Sequence, residues 1–129
     1  MATLAEKLQL KPGQGLAVYN PPDGYLEKLQ ANLPQTELQA GDAPGAALLL
    51  FAGTLAEALQ GSAAVFGAAQ ADRLVWIAYP KGGGGIKTDL NRDRLWQALA
   101  PSGWRPVRQV ALDETWSAMR FRPAEQVGK

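Results

Sequence analysis

The chain of 129 residues has no cysteine and no histidine. The first absence excludes disulfides, thiolate nucleophiles and cysteine-based metal sites. The second excludes imidazole acid–base chemistry and most zinc centres. Any catalysis falls to Asp, Glu, Lys, Tyr, Ser or Thr; Ser117, for example, has no histidine to activate it. Long hydrophobic runs are also missing. The stretch Ala46 to Ala52 is far shorter than the ~20 residues of a bilayer span. Glu6 and Lys7 interrupt the N-terminal segment where a secretory signal would be apolar. A cytoplasmic protein without a membrane partner is expected. Basic residues are scarce early in the chain: residues 1–72 hold three lysines and seven acids. Residues 73–129 hold ten basic residues, including all seven arginines, against five acids, although the whole chain carries only +1. This asymmetry fits solvated faces, or a basic surface that attracts an anion. Without a basic run, nucleic acid is the lesser of the possible partners.

What is present is an ordered globular composition, 47% hydrophobic and 19% charged, of a length suited to one domain over residues 1–129 with a loose tail at 123–129. Thr3 and Glu6 form a capping box for a short first helix. Leu16 to Tyr19 reads as a strand covered on both faces. Asp23 is a candidate cap for a helix with Leu26, Leu29 and Leu33 on one stripe, ended by Pro34. A weak edge strand at Gln35–Gln39 and a wholly apolar central strand at Ala46–Phe51 follow. Thr54 and Glu57 form a second box. The helix after it places Leu55, Leu59, Ala63 and Phe66 on one side, and Gly61 is a possible interruption. Leu74–Tyr79 is the next strand. Thr88 or Asp89 caps a helix carrying Leu95, Trp96 and Leu99. Residues 104–112 and 116–122 form an antiparallel pair across Asp113-Glu114. Strands alternating with helices predict an α/β fold: a three-layer Rossmann-like sheet, mostly parallel.

The segment LVWIAYPKGGGGIKTDLNRDRLW (Leu74 to Trp96) joins a strand to a helix through four glycines. Ligand sites of open α/β sheets lie at such strand C-termini. Lys87-Thr88 matches the end of a P-loop, but Lys81 and Ile86 stand where its two glycines should be. The physics survives without the motif. Glycine N–H groups and a helix N-terminus attract anions, and Lys81, Lys87 and Arg92 add charge. A glycine run also suits an ordinary surface loop. Asp89, Asn91, Arg92 and Asp93 are either caps or an acid–base cluster that can also bind a cation. No metal site is predicted. After the first strand, Asn20-Pro21-Pro22-Asp23-Gly24-Tyr25 replaces the glycines of the dinucleotide fingerprint with prolines. That argues against NAD or S-adenosylmethionine bound in the ordinary way, and no cofactor is predicted. Of the tryptophans, any of which can stack an aromatic ligand, Trp76 and Trp96 read as core and Trp116 as more exposed. Arg120 and Arg122 alternate on one face, as on a solvated edge or an anion-facing stripe.

The blocks LKPGQGLAVYNPPDGYLEKL, VWIAYPKGGGGIKTDLNRDRLW and GWRPVRQVALDETWSAMRFR resemble a bacterial family of small uncharacterised proteins, a domain of unknown function. They cover about half the chain. The family has no established activity, so the resemblance implies no catalytic residues. More loosely, the element order looks like a shortened S-adenosylmethionine methyltransferase fold with its terminal hairpin. That likeness implies a sheet order of 2-1-3-4-6-5 with strand 6 antiparallel, but fold likeness does not license the activity.

The resulting expectation is a domain that binds an anionic small molecule or partner at the strand C-termini. The candidate site comprises Asn20, Asp23, Tyr25, Tyr79, Lys81, Lys87, Thr88, Asp89, Asn91 and Arg92, flanked by Trp116. The alternatives are a protein-interaction or scaffold module, such as a homodimer that has lost the cofactor site, and a divergent transferase with Asp23 or Asp89 as base.

Overall fold

The computed structural model describes residues 4–10, 14–34, 36–40, 47–68, 74–81 and 88–123. The elements are α1 (Leu4–Lys7), β1 (Leu16–Tyr19), α2 (Tyr25–Asn32), β2 (Leu38–Ala40), β3 (Ala47–Phe51), α3 (Leu55–Ala68), β4 (Val75–Pro80), α4 (Arg92–Leu99), β5 (Trp104–Ala111) and β6 (Trp116–Pro123). The six strands form one sheet in the order β2-β1-β3-β4-β6-β5. β2, β1, β3 and β4 run parallel to one another. β6 is antiparallel to both β4 and β5. The predicted α/β fold and strand order therefore hold.

β3 and β4 are buried at every position. Their continuous apolar runs leave neither face to solvent, so helices must cover both. On one face Ala58, Val65 and Phe66 of α3 and Leu95 and Leu99 of α4 pack with Leu48, Leu50, Val75, Ile77 and Phe121. On the other, Leu8, just after α1, and Leu29 and Leu33 at α2 pack with Val18, Leu49, Phe51, Trp76 and Trp116. Trp76 is fully buried. Its indole N–H donates to the Leu8 carbonyl at 3.0 Å, which satisfies the polar atom of a core tryptophan.

Three expectations about elements change. Leu59 is 49% exposed and Ala63 is exposed, while Ala58, Ser62, Val65 and Phe66 face the sheet. α3 is apolar on nearly every side, so its sequence alone does not select a face. Gly61 does not break the helix; it lets α3 approach the sheet. A Cβ there would stand 2.7 Å from Leu50 Cδ1. Finally, Arg120 and Arg122, read as a solvated edge or an anion-facing stripe, are half-buried, because β6 lies between β4 and β5 as the expected order has it. One Arg120 guanidinium nitrogen donates to Gln9 Oε1 at 2.7 Å.

β2 and β5 are the outer strands; on β5, Arg105, Val107, Arg108 and Gln109 are exposed and the register slips between Pro106 and Arg108. Near its start, Trp104 stacks on Phe66 of α3, with centroids 4.5 Å apart and rings 3° from parallel.

Gly61→Ala is expected to destabilise the protein by about 1 kcal/mol, because overpacking against Leu50 outweighs the gain in helix propensity. Gly67→Ala, where an added Cβ meets nothing within 4 Å, is expected to stabilise it by up to about 0.5 kcal/mol. Urea denaturation of the two variants checks the contrast.

Candidate functional site

The sheet's topological switch lies between β1 and β3, where the chain turns to opposite sides. At the end of β1 the backbone of Asn20 takes a left-handed conformation, φ 54°. Asparagine tolerates that region better than most residues. The turn aims its amide across the switch. Nδ2 donates to the Phe51 carbonyl at 3.0 Å and to Glu57 Oε1 at 2.8 Å. Glu57 sits in the first turn of α3. Its N–H donates to Thr54 Oγ1 at 3.2 Å, as expected of the second capping box. Its carboxylate also accepts, loosely, from Thr54 Oγ1 and from the Gly53 N–H, each at 3.4 Å. Asn20, Glu57 and Gln60, over a floor of Leu50 and Gly61, line an open cleft of about 280 Å³.

Asp89 approaches the same helix end. Its Oδ1 accepts the Leu55 N–H at 2.7 Å, and its carbonyl accepts from Arg94 at 3.1 Å. Asp89 thus serves α3 instead of capping α4. Thr88 closes on Leu90 N–H at 3.0 Å. The cap of α4 is Asn91, whose side chain accepts the Arg94 N–H at 2.8 Å. The α3 N-terminus, a natural anion position, is therefore occupied by the chain's own carboxylates. Lys81, half-buried at the end of β4, donates its N–H to the Thr115 carbonyl at 2.8 Å. Lys87 and Gly82 to Gly85 lie outside the described residues, as does Thr3 of the first capping box.

The other candidates fall elsewhere. Asp23 is exposed and caps nothing: Gly24, at φ 74°, holds the N-cap of α2 without a side-chain bond. The Tyr25 N–H closes that turn on the Pro22 carbonyl at 3.0 Å. Tyr25 and Trp116 lie together on the opposite face of the sheet. Trp116 is only 6% exposed, because β6 is an inner strand and the ring packs edge-on against Phe51, 5.1 Å away. This corrects the expectation that it lies exposed beside the site. Trp96, expected in the core, is 45% exposed. Tyr79 is buried, and its hydroxyl accepts from Gln109 Nε2 at 2.8 Å. Burial raises the Tyr79 hydroxyl above its ordinary range, and the charge of Arg92 works against that shift. Arg92 itself lines a second cleft, between α4 and β5.

One polar centre was not a sequence candidate. Asp113, in the β5–β6 turn, accepts the Tyr25 hydroxyl at 2.5 Å and lies 3.1 Å from Lys28 Nζ. It also accepts the N–H groups of Thr115 and Trp116 at 2.7 and 2.8 Å. Burial alone would raise its carboxyl, but these donors outweigh that and lower it from 3.8 to about 2. Tyr25 moves the other way, held protonated by burial and by the carboxylate it donates to. The position of Asp113 directly after an edge strand marks a turn; nothing local marks its partner 88 residues away.

No protein-family model matches the chain, and no curated protein matches it in sequence. The similarity is to solved structures. A protein of the NADB-Rossmann superfamily from Streptococcus agalactiae is similar at TM-score 0.50 and 9% identity, over 95% of this chain and 69% of that one. LepI in its complex with SAM is similar at TM-score 0.52 and 18% identity, over 93% of this chain and 39% of that one. N,N-8-amino-8-demethyl-D-riboflavin dimethyltransferase (RosA) from Streptomyces davawensis is similar at TM-score 0.50 and 17% identity, over 88% of this chain and 43% of that one. At these identities the likeness is one of fold: Rossmann-like, with methyltransferase-type neighbours. The chain spans well under half of the last two. Among the described residues, no helix is long and apolar enough to cross a membrane.

Because the Asp113 carboxyl is lowered on folding, its stabilising effect is complete above about pH 4 and is lost as the pH falls through about 2. Asp113→Asn is expected to cost about 2 kcal/mol at pH 7 and to flatten the loss of stability between pH 4 and 2. Denaturation curves of both proteins across that range check it.

Proposed function

We propose that this chain is a ligand-binding domain whose site is the cleft at the β1–β3 switch. Its ligand is a small hydroxyl-bearing molecule with an anionic group. The observation that carries this reading is the Asn20–Glu57 pair, 2.8 Å apart and held at the mouth of that cleft. An asparagine in the left-handed region fixes the Glu57 carboxylate at the switch point; both its N–H groups are engaged, so the pair presents preorganised acceptor oxygens. Glu57 and the amide of Gln60 suit hydroxyl donors. The carboxylates already at the α3 N-terminus disfavour an anion there, so the hydroxyls enter that end and the anionic group stays outside the cleft lining.

A second reading, a divergent transferase, draws on the comparisons: one similar structure holds SAM and another is a dimethyltransferase. This weighs against ruling out SAM from Pro21 and Pro22 alone. Glu57 is an acceptor suited to the ribose hydroxyls of such a cofactor.

Thermal melting with adenosine, S-adenosyl compounds and sugar phosphates tests both readings. A ligand at ~100 times its Kd adds about 2.7 kcal/mol, a rise of about 10 °C in a domain of this size. Glu57→Gln and Gln60→Leu are each expected to weaken binding at least tenfold. A response to S-adenosyl compounds alone would select the transferase. No response to any ligand would overturn the site and return weight to an interaction module.

A further inference from the structure

The second cleft has a different chemistry. α4 buries Leu95 and Leu99 one turn apart, which leaves Trp96 pointing away from the core. The other three tryptophans are buried or half-buried. Arg92 lies one turn before Trp96 on the same helix face. β5 supplies the facing wall, Pro106, Arg108 and Gln109, and Met119 of β6 adds an apolar contact, enclosing about 320 Å³. The side chain of Gln109 is anchored in place by its bond to the buried Tyr79 hydroxyl. Arg92 makes a long, exposed contact with Asp93 at 3.9 Å, a pair that solvent screens and an incoming anion displaces at little cost. An exposed indole one helical turn from an exposed guanidinium group is matched by a planar aromatic ring carrying a phosphate. The indole offers a stacking face, and the Arg92 fork suits phosphate oxygens.

We propose that the α4–β5 cleft binds a free nucleotide, its base stacked on Trp96 and its phosphate held by Arg92. Its volume lies near the lower end of the ~300–1,000 Å³ typical of small-molecule sites, room for one nucleotide rather than a strand. The site shares no residue with the Asn20–Glu57 cleft and does not depend on it.

Titration with AMP, followed by tryptophan emission at low salt, tests the proposal. Saturable quenching is expected. Trp96→Leu and Arg92→Gln should each weaken binding at least tenfold with unchanged melting temperature, since both side chains are exposed. Ribose 5-phosphate, lacking the base, should bind at least tenfold more weakly than AMP. Glu57→Gln should leave AMP affinity unchanged. The proposal is overturned if millimolar AMP does not bind, or if Trp96→Leu binds AMP as wild type does. It is equally overturned if Glu57→Gln rather than Trp96→Leu abolishes binding. A deoxyadenosine hexanucleotide that binds more than tenfold tighter than AMP would overturn the free-nucleotide reading in favour of single-stranded nucleic acid.

Discussion

Everything in this fold follows from burying β3 and β4 on both faces. A strand whose every side chain is apolar cannot sit in a half-solvated sheet, so it must be sandwiched. Two such strands side by side require a helical layer above and below, and right-handed parallel connections provide it. α3 and α4 cover one face. α2, with the turn after α1, covers the other. The same geometry gathers the ends of β1, β3 and β4 at one rim of the sheet, where Asn20, Glu57 and Asp89 meet.

Much of this was legible in the sequence, for identifiable reasons. Ala47–Phe51 and Val75–Pro80 are continuous apolar runs, which only an interior strand tolerates. The short turn at Asp113-Glu114 dictated an antiparallel pair. The strand order came from the likeness of the element order to a known fold, not from the residues themselves. What failed was the choice among chemically equivalent neighbours. Asp23, Thr88 and Asp89 are all good caps, yet Gly24 and Asn91 took the positions. Asp89 was claimed by another helix, a tertiary contact no local pattern records. The exposed and buried tryptophans were assigned the wrong way round at Trp96 and Trp116, because burial depends on which strand is inner and which helix face turns inward. The residues expected together divide: Asn20 lies at the switch-point cleft, while others lie on the opposite face of the sheet. Tyr25 belongs with Asp113 on the side away from Glu57.

The uneven charge along the chain also finds its place. Sheet order sets β6 and β5 beside β4, and α4 packs next to β5. The described arginines of the C-terminal half, Arg92, Arg94, Arg105, Arg108, Arg120 and Arg122, are thereby collected at one side of the sheet. The acids of the first half include Glu57, which is spent on a helix end. A nearly neutral protein consequently has a polarised surface, and the more basic side carries the Trp96 cleft.

The outer strand β5 has a consequence for how the molecule meets its own copies. A free sheet edge is a template on which another chain can lengthen the sheet. Here Pro106 offers no N–H, the slip beside Val107 spoils the spacing of its neighbours, and Arg105 and Arg108 would set like charges face to face across a two-fold axis. The sheet is therefore closed to growth at this border without being covered, and crowded copies of the protein can stay separate there.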